Sequence, residues 1–196
     1  MKFPLKVGIT GGIGSGKSLV CKILETMGYP VFYSDSEAKS IMHHDKSLKA
    51  ELIHLLGNQA YLDGELNKSY IAEVVFKTPS LLNQINALVH PRVRNTFLDF
   101  VSTNLDKPIV FNEAAILFET GAYKTFDKTI LVTAPSDIRI QRVMNRDGVS
   151  KDHVLQRMKN QWDDNEKMAL ADFVILNDET IPLIPQIEEI LSKLNP

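Results

Sequence analysis

The 196-residue sequence contains a single cysteine, Cys21. That excludes an internal disulfide and a cysteine-cluster metal site, and it fits a reducing compartment. No stretch approaches the roughly 18 consecutive apolar residues of a membrane-spanning helix. The N-terminal run MKFPLKVGITGG lacks the apolar core of a secretory signal. A cytoplasmic location with no membrane partner is therefore expected. An excess of one charge is also missing: 22 Lys and Arg stand against 24 Asp and Glu, a net charge of −2. A nucleic-acid partner is not expected, because such proteins carry a basic face or stripe. A small anionic ligand stays open, since a few focused cations and backbone N–H groups suffice to hold one. Repeats, linkers and low-complexity tracts are absent. With 44% hydrophobic and 23% charged residues, the chain reads as one globular domain with an embellishment.

What is present is an alternation of short β-rich runs and amphipathic stretches. Lys6 to Thr10 is apolar and β-branched, is halted by Gly11-Gly12, and reads as a buried strand. Leu19, Val20, Ile23, Leu24 and Met27 mark one face of a helix over Ser15–Met27, stopped by Gly28. Tyr29–Tyr33 is a second strand, which makes a parallel β-α-β unit with a right-handed crossover. Further strands fall at Pro108–Ala114, Lys128–Ala134 and Asp172–Leu176. Helices are expected at Pro135–Arg146, at Ser150 to Glu166 with Ser150 as cap, and at Ile181–Leu194. The result is an α/β fold, a doubly wound five-stranded parallel sheet flanked by helices. Its core is about 1–35, 106–141 and 167–196. A helical insertion occupies about 36–105, not a second domain, and a lid about 142–166. The insertion carries helical patterns at Glu37–His43, Leu48–Leu56, Lys68–Phe76, Ser80–Leu88 and Arg92–Leu105, with a minimal hairpin around Asp63-Gly64.

Between the first strand and helix lies Gly11-Gly12-Ile13-Gly14-Ser15-Gly16-Lys17-Ser18, a complete G-x-x-x-x-G-K-[ST] phosphate loop. Glycines allow dihedrals that turn successive N–H groups toward one point. The following helix aims its positive dipole end there. Lys17 supplies a charge for β/γ-phosphates, and the Ser18 hydroxyl is a hard ligand suited to Mg²⁺. The motif implies ATP or a similar triphosphate with Mg²⁺. A dinucleotide fingerprint does not fit, because the glycines at 12, 14 and 16 do not have G-x-G-x-x-G spacing. No Asn-Lys-x-Asp guanine signature occurs. A kinase acting on a small molecule remains, and it needs an acceptor-side carboxylate, a substrate-covering insertion and mobile arginines.

Each has a candidate. Asp35 follows the second strand, at the edge where parallel strands present their carboxyl ends and where the loop opens. It can take or orient the proton of an attacking hydroxyl, or it can cap the next helix with Ser34. Arg139, Arg142 and Arg146 share a helical face leading into Asp147-Gly148-Val149-Ser150, a hinge-like segment. They can screen a transferred phosphoryl group or form a solvated face. Arg157 on the next helix is open to both roles. Glu113 ends the third strand, where it can hold Mg²⁺ through water. Glu119 reads as a substrate contact, an exposed loop acid or a cap. His90-Pro91-Arg92 opens a helix with Pro91 at its first position, and Arg92 or Arg94 can meet a substrate phosphate. Cys21 reads as a buried thiol without a catalytic role. Trp162 reads as packing with Leu155 and Met158.

Taken in order, these residues resemble the dephospho-coenzyme A kinase family over nearly the whole chain. The resemblance runs through Ile9-Thr10 and the phosphate loop, Asp35 with Ala38, Val89-His90-Pro91, and Ile116-Leu117-Phe118-Glu119. It continues through Arg142-Val143-Met144-Asn145-Arg146-Asp147, Gln161, and Ala171 to Asn177. The chain departs from the family pattern at Tyr33, where an Asp is usual, which leaves Asp35 the one candidate base of that motif. It departs also at Leu19, Glu113 and Ala115. The resemblance implies transfer of the ATP γ-phosphoryl to the ribose 3′-hydroxyl of dephospho-CoA, giving CoA and ADP. It implies nucleotide contacts from Gly11, Gly12, Ile13, Gly14, Ser15, Gly16, Lys17, Ser18 and Leu19, with Arg142 and Asn177. Asp35, Lys17, Arg142 and Arg146 would be catalytic. Asp35, His90, Arg92 and Glu119 would meet the acceptor, and Ser18 and Glu113 the Mg²⁺. A monomer is expected, and an oligomer is compatible with the same reading. Two rivals stand beside it, a nucleoside monophosphate kinase, which needs no base, and a nucleotide-binding regulatory module without turnover.

Overall fold

The computed structural model describes residues 3–194. It divides into two compact units, one made of the chain up to Tyr33 and from Thr103 onward, the other of Ser34–Ser102.

The first unit begins with β1 (Leu5–Thr10), α1 (Lys17–Thr26) and β2 (Val31–Tyr33). The second holds α2 (Ser34–His44), α3 (Lys46–Leu56), β3 (Tyr61–Leu62), β4 (Glu65–Leu66), α4 (Lys68–Lys77) and α5 (Ser80–Ser102). The chain then returns to the first unit with β5 (Ile109–Glu113), β6 (Lys128–Thr133), α6 (Ser136–Asp147), α7 (Lys151–Lys159), α8 (Asp164–Met168), β7 (Phe173–Leu176) and α9 (Leu183–Leu194). The large sheet is all parallel, in the order β2-β5-β1-β6-β7. The doubly wound five-stranded sheet expected from the strand pattern is the one found.

Its core follows from the two-residue period of the strands. Val7 and Ile9 of β1 pack with Val20, Cys21 and Leu24 of α1 and with Ile187, Ile190 and Leu194 of α9. The other face is closed over Gly8, where a Cβ would run into the side chain of Leu117. Register places Glu113 opposite Ile9 on one side and Tyr33 on the other. The ends of β1, β5 and β2 thus share one edge of the sheet, and the phosphate loop leaves from it.

The helical unit has its own core. Leu48, Leu52 and Leu56 recur every four residues on α3 and are buried with Ala60, Tyr61, Ile85 and Val89. Each leucine is worth about 2–5 kcal/mol against alanine. Asp63 and Gly64, both at positive φ, make the two-residue turn of the β3–β4 hairpin.

Three boundaries differ from the sequence reading. His90-Pro91 does not open a helix, because α5 runs through it as one 23-residue helix with Pro91 inside. Ile85, Val89, Phe97 and Val101 keep one buried stripe across the proline, and that burial, about 1.5–3 kcal/mol per side chain, outweighs a break of about 3 kcal/mol. Arg92 Nη1 donates to the Leu88 carbonyl at 2.8 Å and adds a local bond. The helix begun at Ser150 ends at Lys159, and α8 starts afresh on a capping box in which Asp163 and Glu166 satisfy each other's backbone N–H groups. Ser34 and Asp35 do not precede the helix; they lie in the first turn of α2.

Candidate functional site

The phosphate loop is shaped by dihedrals that only glycine adopts cheaply. Gly14 has φ +79° and Gly16 φ +95°. Gly16 also serves as N-cap of α1, without a side-chain cap and without an acid in the first turn. Among the described residues the N–H groups of Gly14, Gly16 and Ser18 make no hydrogen bond. Open donors at a helix N-terminus are what a phosphate needs. Lys17 Nζ donates to the Gly11 carbonyl at 2.7 Å, so its ammonium is held against the loop. Ser18 and Leu19 are exposed on the first turn of α1.

Four side chains from elsewhere in this unit hold the loop, Asn177, Gln161, Arg139 and Arg142, the last by donating from Nη1 to the Gly14 carbonyl at 3.4 Å. Asn177, buried just past β7, donates from Nδ2 to the Ser15 carbonyl at 2.9 Å. Its own carbonyl accepts from Arg142 Nη2 at 3.0 Å. Gln161 accepts the Ile13 N–H at 2.8 Å, and Arg139 Nε donates to the Ile13 carbonyl at 2.9 Å. The three arginines of one helical face therefore have three different settings. Arg139 is buried and paired with Asp164 at 3.0 Å. Arg142 is partly buried between Asn177 and Glu179, also at 3.0 Å. Arg146 is mostly exposed and clasps its neighbour Asp147 at 2.7 Å, and Arg157 holds the same carboxylate at 2.8 Å. Those two guanidiniums, Arg146 first, pull the Asp147 carboxyl down to about 2.

Glu113 is buried at the end of β5. Glu119 is not an exposed loop acid; it forms a 2.8 Å pair with the fully buried Lys167 and accepts the Trp162 N–H at 3.1 Å. Trp162 itself is 42% exposed. It lines a cleft of about 870 Å³ with Leu155, Met158 and Met168. Cys21 is buried, and burial pushes its thiol up to about 12, with Glu113 and Glu25 adding to the effect. Tyr33, which stands where the family pattern has a carboxylate, is raised by burial and by its hydrogen bond with Glu25.

The other candidates belong to the helical unit. Asp35 is exposed in the first turn of α2, two residues beyond the end of β2. Arg92 is engaged by Asp45 at 3.2 Å and by Glu51 at 2.5 Å. His90 is held below the ordinary imidazole range by desolvation and by the Arg94 cation.

Sequence reasoning missed Arg139 as a support of the loop, together with its partner Asp164. Their contact spans 25 residues, and no local pattern announces it. The one local signal nearby was the Asp163-to-Glu166 capping box, which marks the start of a helix.

Ser18 lies in the first turn of α1 and Glu113 ends β5. Among the described residues no group of three or more His, Cys, Asp or Glu side chains forms a metal cage. No helix among the described residues is long and apolar enough to cross a membrane.

Comparison with known proteins supplies a family. The family model for dephospho-CoA kinase matches residues 5–182. A protein named dephospho-CoA kinase from Bacteroides fragilis is 41% identical over 190 residues, which is 97% of this chain and 93% of that one. A crystal structure of a Thermus thermophilus protein superposes with a TM-score of 0.85 at 36% identity, covering 98% and 97% of the two chains. A dephospho-CoA kinase from Campylobacter jejuni shares the fold at a TM-score of 0.70 and 23% identity, covering 96% of each chain. With its complete phosphate loop on a parallel five-stranded sheet, and with relatives matched almost end to end, this chain belongs to the dephospho-CoA kinase family.

Proposed function

We propose that this protein transfers the γ-phosphoryl group of ATP to the ribose 3′-hydroxyl of dephospho-CoA, giving CoA and ADP in the last step of coenzyme A synthesis. The observation that carries the reading is the open set of loop N–H groups at the start of α1, in a chain aligned over nearly its full length with enzymes of that name.

In this reading the loop N–H groups and Lys17 hold the β- and γ-phosphates. The 3′-oxygen forms a bond to the γ-phosphorus while the bond to the bridging oxygen breaks, and the electron pair leaves with ADP. The proton of the hydroxyl passes to Asp35. Support for that role is its place directly beyond β2, whose last residue pairs in register with Glu113; carboxyl ends of parallel strands are where such sites form. Ser18 would hold Mg²⁺ directly and Glu113 through water, and the ion would supply neutralisation of charge on the phosphates. Arg142 would exchange Glu179 for phosphate oxygens, and Arg146 would exchange Asp147. Each exchange replaces one anion by another, and Arg142 would keep its bonds to the Asn177 and Gly14 carbonyls. Such an arginine contributes about 10³–10⁵ in rate where it acts on the transition state. Asn177 would lie by the adenine. On the acceptor side, His90 would act as a neutral hydrogen-bonding group near pH 7. Arg92 and Glu119 would act from within their present pairs, Arg92 with Asp45 and Glu51, Glu119 with Lys167.

Product identity tests the proposal. After incubation with ATP, Mg²⁺ and dephospho-CoA, ³¹P NMR should show a new 3′-phosphomonoester equal in amount to the ADP released. ADP without that phosphomonoester contradicts the assignment.

A further inference from the structure

One residue of the phosphate loop has both of its peptide groups held by side chains remote in sequence. The N–H of Ile13 donates to Gln161 Oε1 at 2.8 Å, and its carbonyl accepts from Arg139 Nε at 2.9 Å. The Ile13 N–H is therefore spent on protein, and the phosphates must be met by the loop amides that follow. The two side chains are themselves anchored. Arg139 is buried, its Nη1 bonds Asp164 Oδ2 at 3.0 Å, and the same oxygen accepts from Thr133 Oγ1 at 2.5 Å. Gln161 Nε2 donates to the Ala115 carbonyl at 3.3 Å, two residues beyond Glu113. Arg139 also fixes the glycines beside Ile13. A Cβ on Gly12 would collide with its guanidinium, and one on Gly14 with its carbonyl.

The two clamp residues stand at the two roots of one excursion of the chain. Arg139 is on α6, before the turn at Gly148, and Gln161 follows α7. Between them Arg157 of α7 ties back to Asp147 at the end of α6, at 2.8 Å. The segment that carries Arg142 and Arg146 is thus fastened at both ends to the peptide groups of Ile13.

We propose that Arg139 and Gln161 are positioning residues that set the Gly12–Ile13–Gly14 backbone for the nucleotide phosphates, with Asp164 holding Arg139 in register. Neither touches the reacting atoms. They act through the direction of the loop amides, and an error of a fraction of an ångström there weakens every phosphate contact together. The proposal rests on the kinase reading only for the choice of acceptor substrate; its effect on nucleotide binding is separate.

The test compares Arg139→Gln, Gln161→Met, Asp164→Asn and the double variant Arg139→Gln/Gln161→Met with the parent protein. Affinity for Mg²⁺-ADP is measured by calorimetry, KM for ATP and for dephospho-CoA by steady-state kinetics, and the melting temperature in parallel. Loss of one bond to a charged or buried group corresponds to about a tenfold change or more. Arg139→Gln and Gln161→Met should each weaken ADP binding and raise the KM for ATP about tenfold, while the KM for dephospho-CoA stays within twofold. Asp164→Asn should shift the same two quantities by less. The double variant should lose less than the product of the two single effects, because both residues hold one peptide. Arg139→Lys, which keeps the charge but cannot bond Ile13 and Asp164 together, should stay weakened. If Arg139→Gln does not fold, Gln161→Met decides, since Gln161 is only half-buried. An ADP affinity within twofold of the parent in a folded variant overturns the proposal, as does an equal rise in both KM values or a fall in melting temperature alone. A parent protein that binds ADP but does not phosphorylate dephospho-CoA defeats the acceptor assignment instead, and the ADP measurements still judge the clamp.

Discussion

Asn177 Nδ2 donates to the Ser15 carbonyl and occupies the space into which any side chain on Gly16 would project. Gly16 also holds φ +95°, so it is required twice, for its backbone conformation and for the room Asn177 takes. Gly16→Ala should therefore cost about 1–3 kcal/mol of stability and weaken Mg²⁺-ADP binding at least tenfold. Urea unfolding and calorimetry on the same variant check both. An unchanged ADP affinity would show that Asn177 and Gly16 do not jointly shape the loop.

Asp35→Asn should lower kcat by about 10²–10³, within the range of general base catalysis, and leave ADP affinity unaltered. The exposed position of Asp35 in the first turn of α2 makes a folding defect an unsuitable explanation of such a loss. Turnover equal to that of the parent would remove Asp35 from the base role.

The single thiol gives a probe that needs no substrate. With its pKa pushed up to about 12 by burial, Cys21 should be inert to a disulfide reagent at pH 8 in the native protein. It should react at the rate of a free thiol once urea unfolds the chain. Rapid labelling of the native protein would contradict the burial of Cys21 between α1 and the sheet.

Asp147 provides the pH dependence. Its folded pKa, about 2, lies below the unfolded value because Arg146 and Arg157 favour the carboxylate. Its stabilising contribution is thus complete above about pH 5 and is lost as pH falls toward 2. The difference in urea midpoint between the parent and Asp147→Asn should be constant above about pH 5 and shrink through that window. A difference that grows on acidification would reverse the assigned sign.

Local rules carried most of the fold. The glycines before Lys17, the β-branched runs and the stop at Gly28 each report on residues within one turn, so the five strands and the loop were readable. Pro91 reads locally as a helix start because a single proline weighs heavily over a few residues, whereas the stripe from Ile85 to Val101 is decided by what it packs against. The site divided in the same way. The loop was legible as a string, because phosphate binding there depends on backbone amides. Its supports were only partly legible. Gln161 and Asn177 are legible only through the family resemblance. Arg139 shares its spacing with Arg142 and Arg146, and spacing alone does not tell a buried brace from an exposed helix face. The Glu119–Lys167 pair joins residues 48 positions apart in the chain, beyond the reach of any periodicity.

Phosphorylation of the ribose hydroxyl of dephospho-CoA is decided by ADP release with ATP and Mg²⁺ measured across a set of acceptors. Dephospho-CoA should stimulate ADP release strongly over the rate without acceptor, nucleoside monophosphates should not, and Asp35→Asn should lose the stimulation. Stimulation by a nucleoside monophosphate but not by dephospho-CoA, or no stimulation by any acceptor, would contradict it.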